Sequence, residues 1–195
     1  MASDSVAWEH AGQGILTTDT RAKGASVTVE IGNQQVTING ITKGSGMIKP
    51  NMATMLGFVV TDATIEAPLL DRLLRETVDR SFNCITVDSD TSTNDACMLA
   101  ATGTGSRIAD DEQIAVFSNA LQRVMTELAQ AIIRDAEGAT KFVTLQVDEA
   151  KSRQEALDVA FTVAHSPLVK TALYASDANW GRILAAVGRA PVSDF

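Results

Sequence analysis

The feature that most constrains the fold is a run of alternating apolar and polar residues around a Gly-Asn pair. The run ASVTVEIGNQQVTING covers residues 25–40, with Gly32 and Asn33 at its centre. A period of two is typical of β-strands, and a two-residue Gly-Asn connection is typical of a tight turn. The sequence therefore predicts a β-hairpin that turns at Gly32 and Asn33.

Helical spacing appears in four later segments. The longest begins near Asp111, and we expect Gly138 to end it. Its apolar positions recur every three or four residues: Ile114, Phe117, Leu121, Val124, Leu128 and Ile132. Pro68 suits the first turn of a helix that runs to about Phe82. Two more helices are predicted over residues 153–164 and 180–187, the second with Trp180 in the core.

Further short segments predict strands and loops. The glycine-rich KGSGMIKPN is expected to be a loop, and STNDACMLAATGTG a turn into a short helix capped by Asn94 and Asp95. Strands are predicted for TMLGFVVTDA, which begins at Thr54, for ITVDSD and for KFVTLQVDEA. With no repeat or linker, the pattern predicts one continuous αβ unit over residues 1–195.

Composition excludes several classes of function. The chain has 195 residues and a net charge of −8, and it lacks the clustered Lys and Arg that nucleic-acid binding needs. Its two histidines, His10 and His165, are far apart and lack paired ligands, so we expect no metal site. Cys84 and Cys97 are expected to be small buried hydrophobes in a reducing compartment. No membrane span or signal peptide is recognisable, so the sequence predicts a cytoplasmic protein.

An isolated hydroxyl in KPNMATMLGF raises a chemical question. Thr54 has no histidine or carboxylate within several residues to take its proton. A threonine can instead use its own α-amino group as the base once the preceding peptide bond is cut, and such an amine has a pKa of about 7.7–8.0. That route requires scission between Ala53 and Thr54. The simpler interpretation is that Thr54 only begins a strand.

Several blocks in order resemble one family. KGSGMIKPNMATMLGFVVTDA resembles the self-cleavage segment of the ornithine acetyltransferase family, the arginine-biosynthesis enzymes often called ArgJ. GILTTDT, SFNCITVDSDTSTNDA, RDAEGATKF and SPLVKTALYASDANWGRILAAVGRA also resemble family blocks. The resemblance spans Gly14 to Ala190. It implies a layered αββα-type sandwich, as in these enzymes and the self-splitting aminopeptidases.

The resemblance also implies an activity. The family cleaves itself between the residues that match Ala53 and Thr54, and the freed threonine takes the acetyl group of N2-acetylornithine and passes it to glutamate. Some members also accept acetyl-CoA as acetyl donor. The resemblance implies no metal and no organic cofactor, and it implies α and β fragments that assemble as an α2β2 heterotetramer in the cytoplasm.

Three further residues match substrate contacts of the family. These are Thr17 in TTDT, Lys43 in KGSGM and Glu137 in AEGATK. The ammonium of Lys43 suits a substrate carboxylate, and the carboxylate of Glu137 suits a substrate ammonium. The alternatives from the residues alone are a capping hydroxyl for Thr17, a solvated loop lysine for Lys43 and a helix-end residue for Glu137.

The chain also departs from the family. It is expected to be the central part of a longer family fold, without the preceding Thr-Gly pair of the oxyanion hole and the following Asn and Thr of the substrate pocket. Loss of an oxyanion donor costs about 10²–10³ in rate. Two alternatives stay open: a catalytically inactive scaffold, and a relative of the self-splitting aminopeptidases, which use a similar nucleophile on a related scaffold.

Overall fold

The computed structural model describes residues 4–49, 55–91 and 94–192. The contacts between residues group the chain into two compact units, residues 1–137 and 138–195, where the sequence predicts one continuous unit. The first unit contains the four strands found in the described residues. Its elements are α1 (Ser5–Gly14), β1 (Lys23–Ile31), β2 (Gln34–Lys43), β3 (Leu56–Thr61), α2 (Ala67–Asp79), a 3₁₀ helix (Phe82–Cys84), β4 (Ala96–Ala101) and α3 (Asp111–Arg134).

The four strands form one mixed sheet in the order β1-β2-β3-β4. β1 and β2 form the predicted hairpin, and both turn residues, Gly32 and Asn33, have positive φ as a tight hairpin turn requires. β2 pairs with β3 antiparallel, and β3 pairs with β4 parallel. The parallel pair requires a crossover, and α2 lies within it.

The long helix α3 packs against β1 and β2 and supplies much of the core. Its start is fixed by a capping box between Asp110 and Gln113. The predicted apolar face is confirmed: Phe117, Leu121, Val124, Leu128 and Ile132 are fully buried. Gly40 of β2 allows this close approach, because a Cβ there would lie 2.7 Å from Cδ1 of Leu128.

The described residues of the second unit form three helices, α4 (Arg153–Ala164), α5 (Pro167–Tyr174) and α6 (Trp180–Val187). They pack around a small apolar cluster of Val163, Val169 and Ala186. Two of the helices were predicted, whereas α5 was not. None of the helices in the described parts of the chain is both long and apolar enough to cross a membrane.

Several predictions of local structure were wrong. ITVDSD forms no strand, and ACMLAA is the strand β4 rather than a helix, so Asn94 and Asp95 lead into a strand instead of capping a helix. KFVTLQVDEA forms no strand either. The long helix ends at Arg134, before Gly138, and Asp135 occupies its C-cap position with a non-helical backbone conformation. Two side chains are also exposed, contrary to expectation: Trp180 and Cys84.

Candidate active site

The candidate site lies where β2 ends and the glycine-rich loop begins. The side chain of Lys43, the last residue of β2, is buried, and its Nζ donates a hydrogen bond to Oγ1 of Thr17 over 2.7 Å. The structure therefore brings together two of the three predicted substrate contacts, although they are far apart in sequence. Lys43 is not the solvated loop lysine that its glycine-rich surroundings allow.

Glu137, the third predicted contact, reaches the same loop from beyond the end of α3. Its N–H donates to the carbonyl oxygen of Ser45 over 2.8 Å. A Cβ on Gly46 would lie 3.1 Å from Oε2 of Glu137, so this carboxylate rests against the glycine backbone. A side chain at position 46 would require this carboxylate to shift by a few tenths of an ångström. Glu137 is exposed.

A buried ionic cluster holds the strand and loop in place. Nζ of Lys23 lies 2.6 Å from Oδ1 of Asp19 and 2.5 Å from Oδ2 of Asp135, and all three side chains are almost wholly excluded from solvent. Oδ1 of Asp19 also accepts the N–H of Gly44 over 2.6 Å. The cluster thus links the segment that carries Thr17 to the residue directly after Lys43.

Opposing effects set the pKa values of the two carboxyls. Burial raises the pKa of Asp19, whereas the ammonium of Lys23 and the N–H of Gly44 lower it. The lowering effects together are larger, so the pKa of Asp19 lies below the ordinary value. For Asp135, burial raises the pKa, and Lys23 together with the hydroxyl and N–H of Thr20 lowers it below the ordinary value. Both carboxylates are therefore ionised partners of Lys23 at neutral pH.

The approach to the proposed cleavage segment is anchored on its upstream side. The carboxylate of Asp88 accepts the N–H groups of Met47 and Ile48, over 2.6 and 3.0 Å. The carbonyl of Ile48 in turn accepts the N–H of Val87 over 2.7 Å. Ile48 itself is fully buried in the core. The loop therefore has a fixed path up to this point.

The predicted nucleophile Thr54 and its predicted cleavage partner Ala53 lie outside the described residues. The structure does describe the next residue, Met55, and the residue after it, Leu56, which pairs with Lys43 across β2 and β3. The pairing brings the start of β3 beside the end of β2. Thr54 therefore precedes, by two residues in the sequence, the residue that pairs with Lys43.

Sequence reasoning missed one residue at this place, Asp95. Its Oδ1 accepts the N–H of Met55 over 2.6 Å. Burial raises the pKa of Asp95 to about 6, although the N–H of Met55 and the charge of Lys43 both act to lower it. A carboxyl with a strongly shifted pKa beside a candidate site is a functional candidate itself. The local sequence offered no signal, because Met55 is forty residues away.

The described residues form no cluster of three or more His, Cys, Asp or Glu side chains that could hold a metal ion. The arrangement instead offers a buried ammonium, an exposed carboxylate and a hydroxyl around one loop. Such a set can bind the carboxylate and ammonium of an amino acid.

Comparisons with known proteins agree on one family. The model of the ArgJ family matches residues 1–194. The chain is 55% identical over 192 residues to the arginine biosynthesis bifunctional protein ArgJ of Pseudomonas fluorescens, covering 96% of the chain and 47% of that protein. It is 56% identical over 191 residues to the protein of the same name from Methylococcus capsulatus, with the same coverage. The chain thus spans about half the length of the curated relatives that it matches.

A solved structure is also similar. The crystal structure of the arginine biosynthesis bifunctional protein ArgJ from Bacillus halodurans matches with a TM-score of 0.66 and 43% identity. The match covers 71% of this chain and 66% of the crystallised one. The expected mixed α and β layered fold is confirmed by this match and by the sheet with its packed helices.

Proposed function

Because the chain belongs to the ArgJ family, we propose that it is an acetyltransferase of arginine biosynthesis that acts through Thr54. In this proposal the chain cleaves itself between Ala53 and Thr54. The freed threonine then moves an acetyl group from N2-acetylornithine to glutamate. The observation that carries the proposal is the convergence of Thr17, Lys43 and Glu137 on the loop that leads into this segment.

The first chemical step is activation of the nucleophile. A threonine hydroxyl is weakly nucleophilic unless a base takes its proton. Scission before Thr54 supplies that base as the α-amine of the same residue. Lys43 is the last residue of β2 and pairs with Leu56 at the start of β3. The positive charge of its ammonium favours the neutral form of a nearby amine. The neutral amine is the form that accepts the proton.

The acyl transfer then follows in two steps, acetylation of the threonine and transfer of the acetyl group to glutamate. Oγ1 of Thr54 attacks the acetyl carbonyl of N2-acetylornithine, its proton passes by way of the α-amine to the departing ornithine nitrogen, and an acetyl ester remains on the threonine. The amine of glutamate attacks that ester and loses a proton, and the threonine hydroxyl is restored as N-acetylglutamate leaves. No metal or organic cofactor takes part. Acetyl-CoA is an alternative donor for the first half, with its thiol as the leaving group.

Charge complementarity supports this substrate class. Both N2-acetylornithine and glutamate carry an α-carboxylate, which suits the buried ammonium of Lys43. The exposed carboxylate of Glu137 suits the ammonium that each of them also carries. Positioning of this kind accounts for a large part of the rate of acyl transfer between bound groups.

The decisive experiment is the intact mass of the purified chain together with its N-terminal sequences. The 20.6 kDa chain is expected to give two pieces, residues 1–53 and 54–195, the second beginning with threonine. Thr54→Ala should remain one chain and show no acetyl exchange between N2-acetylornithine and glutamate. The matched control is Thr28→Ala, which removes a threonine from the exposed face of β1 and should be cut like the wild type.

Each outcome separates the alternatives. An uncut wild-type chain contradicts the proposal and favours the inactive scaffold. A cut chain that releases amino acids from peptides and ignores N2-acetylornithine favours the aminopeptidase relative. Incubation with acetyl-CoA labelled in the acetyl group tests the second donor, since an added acetyl mass on the threonine-initiated piece requires that donor.

We expect the two pieces to stay associated as an α2β2 heterotetramer in the cytoplasm. Light scattering after size-exclusion chromatography measures that mass directly. A stable species with the mass of a single copy would contradict the assembly without affecting the proposed chemistry.

A further inference from the structure

The two main-chain polar groups of Met55 are both held by the start of β4. The N–H of Met55 donates to Oδ1 of Asp95 over 2.6 Å, and its carbonyl oxygen accepts the N–H of Ala96 over 3.1 Å. Met55 itself is buried. One planar peptide bond joins Met55 to Thr54.

The second oxygen of this carboxyl is unusual. Oδ2 of Asp95 is buried and has no hydrogen-bond partner among the described residues. A carboxylate oxygen can accept two hydrogen bonds, and leaving it buried without one destabilises the folded state. Buried unpaired groups of this kind call for a reason other than stability. An alanine or leucine at the same position would avoid the penalty.

We propose that Asp95 is a positioning residue for the reaction at Thr54. In its ionised state, the carboxylate of Asp95 holds the amide of Met55, the residue that directly follows the nucleophile. This inference rests on the proposed function for the identity of the nucleophile. An ionised carboxylate accepts a shorter and stronger hydrogen bond than a neutral one, and 2.6 Å is short for a bond from a backbone N–H. Protonation weakens that bond and loosens the start of β3.

The surrounding charges make this protonation relevant near neutral pH. Burial raises the pKa of Asp95 to about 6, and the ammonium of Lys43 at the end of β2 limits the rise. Cys97, two residues along β4, stays a neutral thiol because burial raises its pKa to about 12. In the part of the chain that the structure describes, Lys43 is the charged side chain whose electrostatic effect lowers the pKa of Asp95.

The kinetic test separates this carboxyl from the α-amine of Thr54. The rate of threonine acetylation should fall about tenfold per pH unit below the pKa of the amine, and more steeply over the pH range around 6 in which Asp95 also titrates. Asp95→Asn keeps an acceptor for Met55 but cannot ionise, so it should be slower at pH 7 and keep a single slope throughout.

Two more variants complete the series. Asp95→Ala removes the acceptor, and misplacement of the nucleophile should slow acetylation by about 10²-fold. Asp71→Asn, on the outer face of α2, is the matched control and should behave as the wild type. Equal slopes for the wild type and Asp95→Asn would overturn the inference.

A readout independent of activity distinguishes the two proposals. In a chain labelled with ¹⁵N-methionine, the five methionines after Met1 each give one amide signal, and Met55→Leu identifies the relevant one. That signal should shift with pH around an inflection near 6 in the wild type and show none in Asp95→Asn. If the wild type neither cleaves nor acetylates, the proposed function fails, whereas a Met55 amide that ignores pH overturns the inference itself.

Discussion

Replacement of Lys23 by methionine should strongly destabilise the first unit. The ammonium contacts both Asp19 and Asp135, and the exposed fractions of the three side chains are 1%, 0% and 3%. Methionine fills a similar volume but leaves two buried carboxylates without their counter-ion. Removing one partner of a buried ion pair costs about 3–5 kcal/mol.

Repulsion between the carboxylates gives a similar figure. Both contacting oxygens touch the same nitrogen and therefore lie within about 5 Å of each other, where two like charges repel by about 3 kcal/mol at an effective dielectric constant of 20. We expect the free energy of unfolding to fall by about 3–5 kcal/mol at pH 7. A whole domain has only about 5–15 kcal/mol, so the loss is a large share.

Urea unfolding followed by tryptophan fluorescence measures this change. The chain has two tryptophans, and a Trp180→Phe background leaves Trp8 of α1 to report on the first unit. Arg75→Met is the matched control, because Arg75 pairs with Asp71 on an exposed helix face. That control should leave the unfolding midpoint nearly unchanged.

The pH dependence adds a second check with a definite sign. The pKa values of Asp19 and Asp135 are lowered in the folded state, so their contribution to stability is present above about pH 4 and is lost as the pH falls through the folded values. In Lys23→Met the ammonium is absent and protonation relieves the buried charges. The difference between the two proteins should therefore narrow from pH 7 to pH 4. A difference below about 1 kcal/mol at pH 7, or one that stays constant with pH, would refute this reasoning.

Two further predictions concern packing and thiol reactivity. Gly40→Ala should lower the free energy of unfolding by about 1–3 kcal/mol, because the new methyl group would press on Leu128. Gly14→Ala is the control and should leave stability unchanged, because a Cβ there has no atom within 4 Å. Equal urea midpoints for the two variants would contradict this prediction. Iodoacetamide at pH 8 should alkylate the exposed Cys84 but spare Cys97, whose pKa burial raises to about 12, until urea unfolds the chain. Peptide mass mapping checks the order, and equal rates for both thiols would contradict it.

Elements with strong local signals were predictable from the sequence. The hairpin depends on two adjacent residues that accept positive φ, and α3 depends on a capping box and a regular apolar face. These signals are complete within each segment, so no distant contact can easily override them. The bounds of α4 and α6 were predictable for the same reason.

The strand β4 was not predictable in that way. ACMLAA is rich in residues that favour helices, yet it pairs in parallel with β3 because the sheet offers it an open edge. Tertiary context of this kind cannot be seen in a window of ten residues. KFVTLQVDEA shows the opposite case, since it has a strand pattern but no pairing partner among the described residues.

The candidate site was predictable only through resemblance. Thr17, Lys43 and Glu137 have no local pattern that marks them, and their convergence arises from the sheet and the end of α3. Asp95 matched no such contact, and its local sequence suggested a helix cap. Its role depends on Met55, which only the pairing of β3 with β4 brings near.

The pairing of β2 with β3 determines what a nick in their connection would do to the molecule. The two strands pair antiparallel through six residue pairs, from Ile38 with Thr61 to Lys43 with Leu56. A break between them leaves one polypeptide with β1 and β2 and another with β3 and β4, joined edge to edge inside the same sheet. Separation of the two polypeptides would require breaking the hydrogen bonds between β2 and β3 and exposing the buried Val59 to solvent. Nicked material should therefore run as two bands on a denaturing gel but elute as one particle from a native column.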